Sequence, residues 1–260
     1  MGAMALDGRV VVVTGGARGQ GWEEAGQLAA EGATVVVTDV REPEAELPDG
    51  VVYRRLDVTS PSGWADLAGE LKETYGSIFG LVNNAGIVGA RGRAGRLEDI
   101  SLDDWNKLIE VNTTGPFLGI QTLAPLMTNG GSIVNISSIA GAGAHLAAGY
   151  GVSKWALRGL SRIASMELGP RGIRVNSILP GYIHSPMQDQ TPQQFIDAHL
   201  SLIPLGRVGS ALDVAPLVLF LMSDASSWIS GVDIPVDGGA LGHLGLRIIS
   251  EAMTAATNGA

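Results

Sequence analysis

A chain of 260 residues with 45% hydrophobic and 17% charged side chains has enough apolar material for one ordinary domain that needs no disulfide or structural metal. The absence of cysteine removes thiolate nucleophiles, cysteine-based zinc or iron–sulfur sites and disulfide frameworks, and it suits a reducing compartment. A net charge of −9, with 17 basic residues that form no run, argues against nucleic acid, anionic membranes and acidic substrates as partners.

Met1-Gly2-Ala3 ahead of Met4 reads as a cloning scar, and the lack of a basic n-region and apolar h-region makes the cytoplasm the expected location. From there, short β-branched runs alternate with longer amphipathic stretches. Strands are expected at 9–13, 34–38, 51–56, 78–82, 132–137, 174–178 and 233–236, with helices near 19–31, 61–75, 102–127, 149–168 and 211–222. The run Val214 to Met222 contains Pro216 and is far shorter than the roughly 20 residues of a membrane span, so it reads as a buried helix. The alternation predicts one α/β domain over residues 1–260, a doubly wound sheet of about seven parallel strands flanked by helices on both faces. Near-continuous apolar strand cores such as VVVVT and TVVVT fit a sheet buried on both sides. Ligands in such sheets sit beyond the carboxyl ends of the strands.

The first strand runs into Thr14-Gly15-Gly16-Ala17-Arg18-Gly19-Gln20-Gly21, which opens a helix. Glycines at Gly15, Gly19 and Gly21 let a diphosphate approach the backbone while helix N–H groups point at it, although a plain tight turn has the same composition. The second strand ends at Asp39, where a carboxylate accepts hydrogen bonds from a ribose diol and repels a 2′-phosphate, favouring NAD over NADP. Arg18 and Arg41 count the other way, since a guanidinium binds such a phosphate.

After the fourth strand, Asn83-Asn84-Ala85-Gly86 is a small-residue turn that would let the backbone pass close to the cofactor. Ser137 and Ser138 end the fifth strand, and Tyr150-Gly151-Val152-Ser153-Lys154 opens a helix on which Tyr150 and Lys154 share a face. A phenol that serves as a base near neutrality needs its anion stabilised by about 3 pKa units, roughly 4 kcal/mol. A nearby ammonium supplies energy of that order at an effective dielectric near 20, although an isolated Tyr-x-x-x-Lys pair is more often a surface pair.

As a set, TGGARGQG, Asp39, Asp57-Val58, NNAG, Asn112, ISS, YGVSK, Pro180-Gly181 and Asp237-Gly238-Gly239 resemble the single-domain short-chain dehydrogenases/reductases, in the family's order from Leu6 to about Gly239. Hydroxysteroid dehydrogenases are the most similar branch. The resemblance implies a Rossmann-type fold, with Tyr150 as catalytic acid/base and Lys154 lowering its pKa while binding the nicotinamide ribose. It implies that Asn112 holds a relay water, that Ser138 binds the substrate oxygen, and that Asp57 and Val58 contact adenine. Asn84, Ala85, Gly86, Pro180 and Gly181 would line the cofactor, with the Ile183 backbone and the Ser185 hydroxyl anchoring its carboxamide.

Two departures stand out. The family commonly places its serine 13 residues before the tyrosine, whereas Ser138 is 12 before and Ser137 is 13; Ser138 is preferred because it matches the second serine of the strand-end pattern. Gln20 replaces an aliphatic residue and could cap the helix or reach the cofactor.

Tyr182 to Gly206 resembles the family's mobile substrate lid. Its apolar Ile183, Met187, Phe195, Ile196 and Leu200 suggest a largely apolar substrate, or equally an amphipathic lid packing on its own core, with His145 and His184 as candidate polar contacts. The four scattered histidines suggest no metal site. The apolar extension over 240–260 is expected to dock on a neighbouring subunit of a homotetramer, or within its own chain. The leading expectation is an NAD-dependent oxidoreductase interconverting a secondary alcohol and a ketone. The alternatives are a 3-ketoacyl-thioester reductase using NADPH and a non-catalytic NAD-binding protein.

Overall fold

Unbroken valine runs in the first two strands pair side by side at the centre of a sheet that is covered on both faces, as the burial of Val11, Val12, Val13, Val35, Val36 and Val37 shows. The computed structural model describes residues 4–89, 92–184, 193–243 and 245–258, with side chains described as far as residue 254. Its seven strands are β1 (Val10–Thr14), β2 (Thr34–Asp39), β3 (Val51–Arg55), β4 (Gly80–Asn83), β5 (Gly131–Ile136), β6 (Ile173–Pro180) and β7 (Asp233–Val236). They lie in the order β3-β2-β1-β4-β5-β6-β7 with every neighbouring pair parallel. The order reverses between β1 and β4, the switch point at which a Rossmann-type sheet opens a ligand crevice.

The helices are α1 (Gly19–Ala30), α2 (Pro61–Tyr75), α3 (Leu102–Ile109), α4 (Gly115–Leu123), α5 (Ala148–Leu168), α6 (Gln193–Leu202), α7 (Ala211–Met222) and α8 (Leu246–Asn258). One face of the sheet packs Leu28 of α1 and Val214, Val218 and Met222 of α7; the other packs Trp64 and Leu71 of α2, Leu123 of α4 and Ala164 of α5. Among the described residues no helix is long and apolar enough to cross a membrane.

One expectation changes, and two segments gain definition. The single helix expected at 102–127 is α3, a π-helical turn at Glu110–Thr114, α4, and a 3₁₀ turn at Ala124–Leu126. Pro116 is the physical reason, because it brings no N–H to the carbonyl four residues earlier, that of Asn112. Within the lid stretch, Gln193–Leu202 is helical. The C-terminal extension is also a helix, and it packs within its own chain: Arg247 donates to the Ile203 carbonyl, and His243 Nε2 lies 2.8 Å from the Leu202 carbonyl oxygen.

A buried polar ladder crosses the sheet and fixes α5 over it. Asn83 Nδ2 donates to Asn135 Oδ1 at 2.8 Å, Asn135 Nδ2 to Ser161 Oγ at 2.8 Å, and Ser177 Oγ to Ser161 Oγ at 2.7 Å. Asn135→Ala strips the acceptor from Asn83 Nδ2, costing about 1–3 kcal/mol if left unpaired, while Ser161 keeps Ser177 and the Leu157 carbonyl. Urea titration should show a lower midpoint at unchanged slope, and an unchanged midpoint would mean that the ladder carries no stability.

Candidate active site

Close packing locks the turn after β1 to the turn after β4. Gly15 has φ +67°, and a Cβ there would lie 2.8 Å from Ala85 Cα; one at Gly21 would lie 2.5 Å from Asn84 Nδ2. Asn84 Nδ2 donates to the Thr14 and Gly15 carbonyls at 3.0 and 3.1 Å, while Thr14 Oγ1 accepts from the Asn84 and Ala85 amides. Beyond this lock Gly19, at φ +60°, faces open space. Arg18 takes the N-cap of α1 without a side-chain capping bond, and no acid occupies the first helical turn. The leading N–H groups therefore have no capping side chain and no acid within the first turn, which suits a bound diphosphate.

Asp39 closes the other side of this cradle. Its Oδ2 accepts from the Ala17 amide at 3.3 Å and its Oδ1 from the Arg41 amide at 3.1 Å. The Arg18 guanidinium lies 3.5 Å from Glu44, and Arg41 is exposed. Asp57 Oδ1 accepts from both the amide and hydroxyl of Thr59, and the carbonyl of buried Val58 accepts from Trp64 Nε1 at 2.9 Å. Gln20 neither caps the helix nor reaches into the cradle. Its Nε2 donates to Glu24 Oε1 at 2.9 Å and lies 3.3 Å from Asn84 Oδ1.

Beyond the end of β5, Ser138, Tyr150 and Lys154 converge. Ser137 points away from this cluster: its hydroxyl donates to the Lys154 carbonyl at 2.9 Å. Ser138 Oγ accepts from the Ala140 amide at 3.1 Å and hydrogen-bonds the Tyr150 side chain. Lys154 is buried, and its Nζ donates to the Ile136 carbonyl at 2.8 Å while standing 5.8 Å from the Tyr150 ring centre. Burial depresses this ammonium to about 8. Burial also pushes the Tyr150 phenol above its ordinary value, opposed by the Ser138 hydrogen bond. The phenol's shift thus runs against the expected lowering by Lys154, because desolvation of the phenolate dominates.

Asn112, in the π-helical turn, is fully buried with its side chain committed. Its Nδ2 donates to the Ile87 carbonyl at 2.8 Å and to Ser153 Oγ at 3.0 Å, while its Oδ1 accepts from the Ile87 amide at 2.8 Å. A Cβ on Gly86 would fall 3.3 Å from Asn112 Oδ1 and 3.4 Å from Lys154 Nζ, so glycine there keeps the space between the turn and these side chains clear.

Pro180 ends β6, and the Gly181 amide donates to the Val236 carbonyl at 2.9 Å. A one-residue bridge between Ile183 and Gly209 ties the two ends of the lid together, with the His184 amide donating to the Gly209 carbonyl at 2.7 Å. Ser185 and Met187 lie outside the described residues. His145 is exposed beside Tyr150, with ring centres 5.4 Å apart, and its Nδ1 accepts from the Ala147 amide. A cleft of about 480 Å³ opens between the lid and the end of β7, lined by Tyr182, Ile183, Ile203, Pro204, Leu205 and Val236 among others. Next to it Tyr182, Phe195 and His199 form an aromatic cluster, with the Phe195 and His199 ring centres 4.2 Å apart.

Sequence reasoning missed Thr14, Ser153, His199 and Glu24. Thr14 and Ser153 sit inside motifs whose neighbours drew the attention. Glu24 looked like one more acid on a helix, and nothing in its spacing marks it as buried.

The family described as enoyl-(acyl carrier protein) reductase matches residues 15–240. The chain is 42% identical over 247 residues to a 3-alpha-(or 20-beta)-hydroxysteroid dehydrogenase of Mycobacterium tuberculosis, covering 92% of each. It is 39% identical over 255 residues to the trans-4-hydroxycyclohexanecarboxylate dehydrogenase of Sinomonas cyclohexanicum, covering 92% of this chain and 95% of that one. A crystal structure from Sinorhizobium meliloti 1021, described as a candidate short-chain alcohol dehydrogenase, superposes with a TM-score of 0.82. It is 32% identical, and the match covers 93% of this chain and 99% of that one.

The depressed Lys154 ammonium sets a stability prediction. Between its folded value of about 8 and its ordinary 10.5 the unfolded chain binds the extra proton, so stability rises with pH across that window. Lys154→Met relieves the buried charge at the expense of the Ile136 carbonyl's partner. It should be more stable than the wild type near pH 7 by on the order of 1–3 kcal/mol. That advantage should shrink by about pH 10, and urea titrations showing the same difference at both pH values would contradict the assignment.

Proposed function

We propose, from the premise that this chain belongs to the short-chain dehydrogenase/reductase family, that it interconverts a secondary alcohol and a ketone with NAD as hydride partner. The observation that carries the reading is the convergence of Ser138, Tyr150 and Lys154 beyond the end of β5. A chain that only bound the dinucleotide would need no half-buried phenol beside a buried ammonium.

In ketone reduction the Tyr150 hydroxyl donates its proton to the carbonyl oxygen as hydride reaches the carbonyl carbon; oxidation reverses both transfers. Burial supports the donating role, since it keeps the phenol protonated near neutrality. Ser138 holds the same oxygen by a hydrogen bond, oriented by the Ala140 amide behind it. Lys154 binds the nicotinamide ribose and returns a proton toward Tyr150. With its side chain committed, Asn112 would have only its main-chain carbonyl to offer a relay water. The bound nicotinamide supplies or takes the hydride.

Three features support NAD. Asp39 faces the place where a 2′-phosphate would sit, its carboxylate already fixed by two backbone amides, and the Arg18 guanidinium is drawn to Glu44. Gly15, Gly19 and Gly21 with the uncapped start of α1 would receive the diphosphate, while Asp57, Val58, Asn84 to Gly86, Pro180, Gly181 and Ile183 would line the remainder. The lid's own aromatic residues and the apolar side of the adjoining cleft, whose lining also holds Arg207, Asp213 and Asp237, favour a bulky cyclic alcohol, with His145 and His184 as further contacts. Exposed Phe117, Val152, Trp155, Ile163 and Met166 on α4 and α5 support a homotetramer, and the location we assign is the cytoplasm. A likeness of 38% over 247 residues to a 3-oxoacyl-[acyl-carrier-protein] reductase of Thermotoga maritima favours a second reading, an NADPH-dependent 3-ketoacyl-thioester reductase.

Absorbance at 340 nm with NAD or NADP against steroid, cyclic and short aliphatic secondary alcohols separates these readings. Turnover of a cyclic alcohol with NAD is expected, and preference for NADP on ketoacyl thioesters would replace it with the second reading. Tyr150→Phe should lower kcat by about 10²–10⁴-fold or more while NAD still binds. Retained turnover in that variant would remove Tyr150 from the chemistry.

A further inference from the structure

Glu24 lies on the buried face of α1 with Gly21, Ala25 and Leu28, fully excluded from solvent, and no part of the proposed reaction uses it. Its Oε1 accepts from Gln20, while its Oε2 is buried with no hydrogen-bond partner. An orphaned carboxylate oxygen in a core is costly, so its retention at this place calls for an account. The contacts supply one. Gln20 Nε2 is shared between Glu24 Oε1 and Asn84 Oδ1, and Asn84 closes the glycine-rich turn by donating to the Thr14 and Gly15 carbonyls. Glu24 therefore stands at the buried end of a chain of side chains whose other end is the diphosphate cradle.

Charged groups on the elements packed around α1 are committed elsewhere. Asp213 of α7 is held by Arg207 and Ser210, and Asp39 of β2 by the Ala17 and Arg41 amides. Arg54 of β3 pairs with Glu70, its neighbour Arg55 is exposed, and β1 carries no charge. On α1 itself Glu23 accepts from Gln27, and at its ends Arg18 pairs with Glu44 and Glu31 is exposed. None of them acts on Glu24: burial is the first cause of its displacement, opposed only by the Gln20 hydrogen bond.

We infer that Glu24 is a positioning residue for the dinucleotide: through Gln20 and Asn84 it sets the turn that receives the diphosphate, and its ionisation makes cofactor affinity fall as pH rises. The inference rests on the dinucleotide reading above. Burial pushes the Glu24 carboxyl up to about 8, so near neutrality it is mainly the uncharged acid. Above that value the proton leaves, an uncompensated anion forms beneath a site built for anions, and the Gln20 contact now serves a charge that seeks solvent. By linkage the bound dinucleotide favours the protonated form.

Calorimetric titration of the full chain with NAD at about pH 7, 8 and 9 tests this without reading turnover. If only the protonated form binds well, Kd rises about tenfold from pH 7 to 9. Glu24→Gln keeps the acceptor for Gln20 and cannot ionise, so its Kd should change much less over the same range. Lys154 titrates nearby but is present in both proteins, so the difference between the two profiles belongs to Glu24. Gln20→Leu/Glu24→Leu serves as the second variant, an apolar pair expected to bind NAD several-fold more weakly at pH 7 and to lack the Glu24-dependent slope. Parallel profiles for wild type and Glu24→Gln, or double-variant binding equal to wild type at pH 7, would overturn the inference while leaving the dinucleotide reading intact. Absence of binding by either NAD or NADP at every pH would overturn that reading and this one with it.

Discussion

The burial of one ammonium group, that of Lys154, is the constraint around which the rest is arranged. Removing a cation from water costs several kcal/mol even after relaxation, and a single carbonyl, that of Ile136, accepts a hydrogen bond from it at 2.8 Å. Such a group stays buried only where its helix cannot move away. Helix α5 is held by the Asn83–Asn135–Ser161 ladder from the sheet side and by Ser137 at its own Lys154 carbonyl. The packing is close enough that a Cβ on Gly141 would lie 2.7 Å from the Lys154 backbone. A sheet of seven parallel strands with two apolar faces provides the stability against which that cost is set.

Two further groups have their pKa moved from the ordinary value by the same physics. Burial raises the Tyr150 phenol, and burial raises the Glu24 carboxyl. In the proposed reaction the first is an acid ready to give its proton to a ketone oxygen. The second is a neutral carboxyl behind the diphosphate turn. Both tie function to pH through desolvation rather than through ion pairing. By contrast, the strongly depressed Asp213 carboxyl owes its shift to Arg207, which it meets at 2.6 Å, and serves the cap of α7.

Much of the fold was legible because its signals are local. Valine runs marked the strands, and the bounds of α2 and α7 follow from Ser60, whose hydroxyl accepts from the Gly63 amide, and from the Ser210–Asp213 capping box. The break within 102–127 was hidden because apolar periodicity continues through it, and only Pro116 signalled the interruption. Helix α8 was read as an apolar tail although Leu246, Ile249 and Met253 have helical spacing. At the site, the glycine turn and the Tyr150–Lys154 spacing were visible in the sequence; the roles of the two serines were not, and in the structure Ser138 lies toward Tyr150 while Ser137 Oγ bonds the α5 backbone. The burial of Glu24 and the committed side chain of Asn112 were not, since each depends on contacts between residues distant in sequence.

The central claim is that Tyr150 exchanges a proton with the substrate oxygen from a site where burial favours the neutral phenol. The most direct measurement is the pH dependence of kcat/KM in both directions on one alcohol–ketone pair. Reduction should fall and oxidation should rise with increasing pH, through the same apparent pKa. Profiles that run in the same direction, or that are flat in both, would contradict the account.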